Sequence, residues 1–167
     1  MKKTIILLAL LLPFLKGNAQ KDSTAPYLKN PTLPAFKILL PDSAHWFTQA
    51  NLKKGKAVMI MVFNPDCSHC QNQAEVIAQN HKELLSEIEI VMCSYQDLQK
   101  MRGFIDKYKL GQFSNIHVGR DVNYFFTPFY NMHLFPFLAI YDKKGKLYKV
   151  FEGGIEADKI KETFQGL

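Results

Sequence analysis

Seven apolar residues in a row, Ala57-Val58-Met59-Ile60-Met61-Val62-Phe63, set the strongest limit on how this chain folds. The run shows no polar alternation, the pattern of a strand covered on both faces in a central sheet. Such a sheet needs helices above and below it. Asn64-Pro65-Asp66 ends the run, because proline and asparagine break a ladder and favour turns. A helical pattern follows at once. Ala74, Ile77, Ala78, His81, Leu84 and Leu85 fall on one broad stripe, which predicts a helix over 67–86.

The rest of the chain extends this pattern. Residues 88–93 read as the next strand, and Leu98, Met101, Ile105 and Tyr108 space out a helix over 97–109. Between 110 and 133 the signal weakens to a short strand at 115–118 and a short helix at 122–130, limited by Pro128. Residues 137–141 form a strand that turns through 142–146 into another at 147–151, giving a hairpin. Gly153-Gly154 breaks the chain before a last helix at 157–164. Upstream, 36–40 and 45–47 pair around Pro41-Asp42-Ser43 as an N-terminal β-hairpin. The order predicts an α/β fold: a central mixed sheet flanked by helices, parallel at the first crossover and antiparallel at the late hairpin. Residues 35–167 are expected to form one domain, without internal repeats.

The N-terminus reads as a targeting segment. Lys2 and Lys3 precede an apolar run from Ile5 to Leu12, and Gly17 and Ala19 supply small residues for cleavage after Ala19. Residues 1–19 are thus expected to be a signal peptide and 20–34, with Pro26, Pro31 and Pro34, an extended lead-in. The apolar run is too short for a stable span, so the exported, periplasmic protein is expected to have no stable membrane insertion after cleavage. Losing Lys2, Lys3 and Lys16 lowers the formal net charge from +6 to +3. The remaining lysines are scattered, with two Gly-containing clusters at 53–56 and 143–146 that read as turns, so no nucleic-acid partner is expected.

Export gives the three cysteines a particular meaning, since a close pair forms a disulfide in an oxidising compartment. Cys67-Ser68-His69-Cys70 lies where a buried strand meets a helix. Free N–H groups and the helix dipole there stabilise a thiolate on Cys67. Cys70, nearly one turn on, reaches the same sulfur. Cys67 is read as the nucleophile and Cys70 as the resolving thiol, with His69 adding positive charge or a hydrogen bond. A purely structural bond is disfavoured because so small a loop restrains the unfolded chain little. A copper- or zinc-binding metallochaperone using Cys67, His69 and Cys70 is the alternative, although no second ligand pair completes a four-ligand site. Cys93 reads as a small buried apolar side chain, with a second resolving role as its alternative. No cofactor and no resident metal are expected.

These motifs carry a resemblance. The strand, Asn64-Pro65-Asp66-Cys67-Ser68-His69-Cys70, the helix, and later Phe135-Pro136-Phe137-Leu138-Ala139-Ile140-Tyr141 resemble the thioredoxin superfamily. Within it, the chain is similar to exported TlpA/ResA-like thiol–disulfide oxidoreductases from about Pro34 to Phe164. The resemblance implies a thioredoxin-like fold and a cis bond before Pro136, with Phe135 and Pro136 facing a peptide substrate. It also implies protein thiols and disulfides as partners, together with a redox partner that recycles the pair. Cytochrome c maturation proteins are one such class of partner. Reduction is favoured over oxidation, although histidine before the second cysteine is similar to DsbA-like oxidases. Three positions depart from the pattern: Asp66 replaces a common tryptophan, Met61 a buried acid, and Gln73 a glutamate. A peroxiredoxin-type peroxidase is disfavoured, because the P-x-x-x-T/S-x-x-C pattern is missing.

Overall fold

The buried run does form a central strand. A computed structural model describes residues 24–167, so the expected signal peptide at 1–19 lies outside the described residues. The strands are β1 (Lys37–Leu39), β2 (Trp46–Thr48), β3 (Val58–Val62), β4 (Glu89–Ser94), β5 (Ile116–Arg120), β6 (Phe137–Tyr141) and β7 (Leu147–Glu152). The helices are α1 (Pro26–Lys29), α2 (Ser68–Asn80), α3 (Leu98–Lys107), α4 (Phe126–Tyr130) and α5 (Ala157–Gln165). One sheet runs in the order β2-β1-β5-β4-β3-β6-β7. β3, β4 and β5 are mutually parallel, while β6, β7 and the β1–β2 hairpin pair antiparallel. This is the expected thioredoxin-like α/β fold.

The route of the chain decides which helix lies on which face. From β3 the chain crosses to β4 and on to β5 in one direction, and right-handed crossovers then place α2 and α3 together. It next doubles back past β3 to β6, and the helix in that connection, α4, lies on the opposite face. The two cores bear this out. Met59, Met61 and Phe63 pack with Cys70, Ala74, Ile77, Phe104 and Ile160, whereas Val58, Ile60 and Val62 pack with Phe126, Tyr130 and Phe137. Full burial of each such side chain contributes roughly 1.5–3 kcal/mol.

Two expectations change. The lead-in is not wholly extended: Pro26 opens a single helical turn, its fixed φ suiting a first helical position. That turn sets Tyr27 against Tyr130, with ring centroids 5.5 Å apart. The short helix expected at 122–130 begins only at Phe126. Tyr124 adopts a left-handed backbone (φ 52°), and the Asp121 carboxylate accepts the Phe126 N–H at 2.9 Å, starting the helix there. Among the described residues, no helix is long and apolar enough to cross a membrane.

The β1–β5 junction depends on a close approach. A Cβ at Gly119 would stand 2.9 Å from Ile38 Cβ and 2.7 Å from its outer carbons, and Ile38 is fully buried. Gly119→Ala is expected to cost about 1–3 kcal/mol in urea unfolding through overpacking. In an Ile38→Ala background that penalty should fall by more than half. An equal penalty in both backgrounds would show that this contact is not the cause.

Candidate active site

A turn built by Asn64 delivers the chain from β3 to α2. Its side-chain Oδ1 accepts the Asp66 N–H at 3.0 Å, and its carbonyl accepts the Cys67 N–H at 3.0 Å. The Asn64 N–H points the other way and donates to Cys70 Sγ at 3.4 Å. The Gln71 side chain closes the turn by donating to Pro65 O at 2.9 Å. Asparagine before proline is a turn signal, but its hold on the second cysteine needs the folded geometry.

The two sulfurs occupy unequal surroundings. Cys67 is the N-cap residue of α2 and half-buried; its side chain makes no capping hydrogen bond, and the first turn contains no acidic side chain. Cys70 is completely buried. Burial pushes its thiol up to about 12, the Asn64 N–H partly opposes this, and the thiol's hydrogen bond to Cys67 and that residue's charge raise it further. Cys70 therefore holds its proton and donates it toward Cys67. This division suits an outer nucleophile and an inner resolving thiol.

The opposite wall of the site comes from the start of β6. The Phe135–Pro136 bond is cis, and Cys67 Sγ lies 4.0 Å from Phe135 O. Phe135 is half-buried and Pro136 buried, so Cys67, Cys70, Phe135 and Pro136 meet at one end of the sheet. His69 is exposed on the first turn of α2, and its imidazole makes no hydrogen bond among the described residues. Cys93 lies elsewhere, in the core on the opposite face of the sheet from Cys70. It is fully buried, and burial, followed by the charge of Asp121, pushes its thiol well up. Its place in the other core, across the sheet from Cys70, disfavours a second resolving role.

The three departures now have surroundings. Asp66 does not cap α2; it pairs with Lys100 of α3, Nζ to Oδ2 2.5 Å, so its charge beside Cys67 is locally balanced. Met61 is fully buried between the strands and α2. Gln73 is buried one turn beyond Cys70, and its Oε1 accepts the Ile155 N–H at 2.6 Å. It clasps the segment after β7 onto the cysteine helix. Lys100 and the Gln73 clasp were not foreseen from sequence, since both join segments far apart in the chain. Among the described residues, no group of three or more His, Cys, Asp or Glu side chains converges as a metal site.

The sequence profile of the AhpC/TSA family matches residues 30–164, most of the chain. The chain belongs to that family. A search of curated proteins returns no match. Solved structures share the fold at low identity. A secreted Mycobacterium tuberculosis disulfide oxidoreductase, described as homologous to Escherichia coli DsbE, superposes with a TM-score of 0.67 at 20% identity, covering 80% of this chain and 96% of that one. DsbF from the same species gives 0.67 at 23% identity, with 81% and 98% covered. The exposed lipoprotein thioredoxin of Streptococcus pneumoniae gives 0.62 at 23% identity, with 80% and 100% covered. This AhpC/TSA member carries its CxxC pair, Cys67 and Cys70, between its own central strand β3 and the first turn of α2.

The raised Cys70 value has a measurable consequence. The folded chain holds this proton more tightly than the unfolded chain, whose thiol titrates near the ordinary value of 9.0. The associated stability is intact below pH 9 and is lost as pH rises toward 12. Under reducing conditions, the protein should lose urea resistance over that window faster than Cys70→Ala. Cys93 and the tyrosines, common to both proteins, cancel. Parallel profiles would contradict the buried, protonated Cys70.

Proposed function

We propose that this protein is an exported, periplasmic TlpA/ResA-like thiol–disulfide oxidoreductase that exchanges disulfides with protein substrates, reduction being the favoured direction. The observation that carries this reading is the unequal pair: Cys67 half-buried as the N-cap of α2, and Cys70 three residues on, completely buried and accepting the Asn64 N–H. In the reducing direction, the Cys67 thiolate attacks one sulfur of the substrate disulfide and releases the other as a thiolate. Cys70 then gives up its proton and attacks Cys67 Sγ in the mixed disulfide. The substrate leaves with two thiols, and the protein carries a Cys67–Cys70 disulfide. Two electrons have moved from protein to substrate, and a partner dithiol restores them.

The pair also orders these steps. While Cys67 is free, its hydrogen bond and charge help keep Cys70 protonated. Once Cys67 is bonded to substrate, both influences are gone, whereas the Asn64 N–H at 3.4 Å remains to stabilise a Cys70 thiolate. Cys70 becomes easier to ionise at the stage when it must attack. Neither Met61 nor Gln73 supplies an acid or base, so the proton passes to water, to the departing substrate thiolate or to His69.

Phe135 and Pro136 serve in this reading as the substrate-facing wall, with the Phe135 backbone offered to an extended peptide. The metallochaperone reading is disfavoured because Cys67 and Cys70 gain no third converging donor among the described residues. A peroxiredoxin-type peroxidase is disfavoured because Asn64 and Ile60 stand where that pattern places Ser/Thr and Pro before Cys67.

The test is insulin reduction with a dithiol donor, using protein from the periplasmic fraction that begins at Gln20 by mass. Cys67→Ser should lower the rate by about a hundred-fold or more, since it removes the nucleophile. Cys70→Ser should accumulate a mixed disulfide between Cys67 and substrate. Undiminished exchange in Cys67→Ser would overturn the assignment of the nucleophile.

A further inference from the structure

The loops at the Cys67 end of the sheet expose large apolar side chains. The large exposed hydrophobic side chains among the described residues are Leu28, Trp46, Val122, Tyr124, Leu134 and Tyr148. Three of these six, Val122, Tyr124 and Leu134, occupy the loop after β5 and the loop before β6. Both loops lie at the sheet end where β3 delivers Cys67, the C-terminal end of the parallel strands, where α/β sheets bind ligands.

The rings in these loops form a line of neighbouring contacts. Phe135, whose carbonyl stands 4.0 Å from Cys67 Sγ, has its ring 6.4 Å from that of Tyr95, just after β4. Tyr95 stacks on Tyr124 at 5.5 Å with 27° between the planes. Tyr124 then forms part of the wall of a cavity of about 750 Å³, together with Phe36, Phe125 and Phe129. The line therefore starts at the reactive sulfur and ends in an apolar cavity.

Tyr124 is held in place at a conformational cost. It is 56% exposed, yet its backbone is left-handed (φ 52°), which an aromatic residue rarely adopts. Asp121 anchors its loop: the Asp121 N–H donates to Ser94 O at 2.8 Å, and the buried carboxylate accepts the Phe126 N–H. Simple burial does not explain a strained, exposed ring stacked on its neighbour. Strain of this kind concentrates at ligand-binding positions.

We propose that the Phe135–Tyr95–Tyr124 line and the cavity beyond it dock an extended segment of the protein substrate. That segment carries a large apolar or aromatic side chain roughly three to five residues from its reactive cysteine, the reach of an extended chain at about 3.3–3.6 Å per residue. The proposal rests on Cys67 being the exchanging sulfur. Continuity with that sulfur selects the occupant, because neither a second copy of the chain nor its own N-terminal segment needs a path ending at Cys67. Lys37, Thr48 and Asn123 also line the cavity, but its aromatic and other apolar side chains outnumber them. Such a lining favours an apolar side chain over a charged one, which would lose its water.

The test uses two peptides, each joined to glutathione through one cysteine. One peptide has Phe four residues to either side of the cysteine, and the other has Ser there. With dithiothreitol as electron donor, kcat/KM should favour the Phe peptide by at least about ten-fold. Tyr124→Asn, chosen because asparagine tolerates a left-handed backbone, should bring that ratio to within about two-fold. Equal rates on the two peptides, or a preference unchanged in Tyr124→Asn, would overturn the docking site while leaving the redox reading intact. If neither disulfide reacts, the redox reading fails, and fluorescence anisotropy of the same peptides with Ser in place of Cys decides the docking. Tighter binding of the Phe peptide, lost in Tyr124→Asn, supports the site; equal binding overturns it. A concentration-dependent dimer abolished by Tyr124→Asn would assign the cavity to a second copy and also overturn the proposal.

Discussion

β3 has no free edge and no free face. It pairs in parallel with β4 on one side and antiparallel with β6 on the other, and both its faces are buried. A slip of one residue would exchange the contents of two cores, so its register is fixed more firmly than that of an edge strand. The end of β3 is therefore a fixed point, and the turn that carries the cysteine pair is built on it. Val62 pairs with Phe137, which places the segment before β6 opposite the segment after β3. That single register brings Cys67 to the Phe135 carbonyl across 68 positions of sequence.

The proposed chemistry follows from how differently the fold treats two neighbouring sulfurs. Cys67 stands at the N-cap of α2, and the helix turns Cys70 inward to join Met61 and Ala74 in the core, so one sulfur is half-buried at the helix start and the other fully buried. The nearby polar groups are arranged around this asymmetry. Asp66 is balanced by Lys100, Asn64 spends its side chain on the turn and its backbone N–H on Cys70, and Gln73 holds the loop after β7. The Gln73 Nε2 is left buried without a hydrogen bond, a cost consistent with a side chain retained for the clasp made by its other end.

Much of this was legible locally. A strand with no polar alternation, an Asn-Pro break and two cysteines at the start of an apolar stripe are short-range signals, and they led to β3, the turn and α2. Strand pairing is a long-range matter, and the face occupied by Cys93 could not be read before β4 was registered against β3. The Asp66–Lys100 pair spans α2 and β4 for the same reason. The stretch at 110–133 was the least legible, because Tyr124 and Asp121 interrupt its helical pattern through a backbone conformation and a carboxylate cap rather than through periodicity. Tyr95 and Tyr124 carry no local signal of their own, because only the fold brings their rings together beside Phe135.

The central claim is that Cys67 and Cys70 form a reversible redox pair rather than a structural bond. The most direct measurement is its reduction potential, taken in glutathione and dithiothreitol buffers on Cys93→Ala protein, with the Cys67–Cys70 bond followed by mass spectrometry. The account predicts one two-electron transition between about −270 mV, typical of a thioredoxin-like reductant, and about −120 mV, typical of a strong oxidant. A pair that stays oxidised below about −300 mV, as structural disulfides do, would contradict the account, as would a pair that never forms the bond.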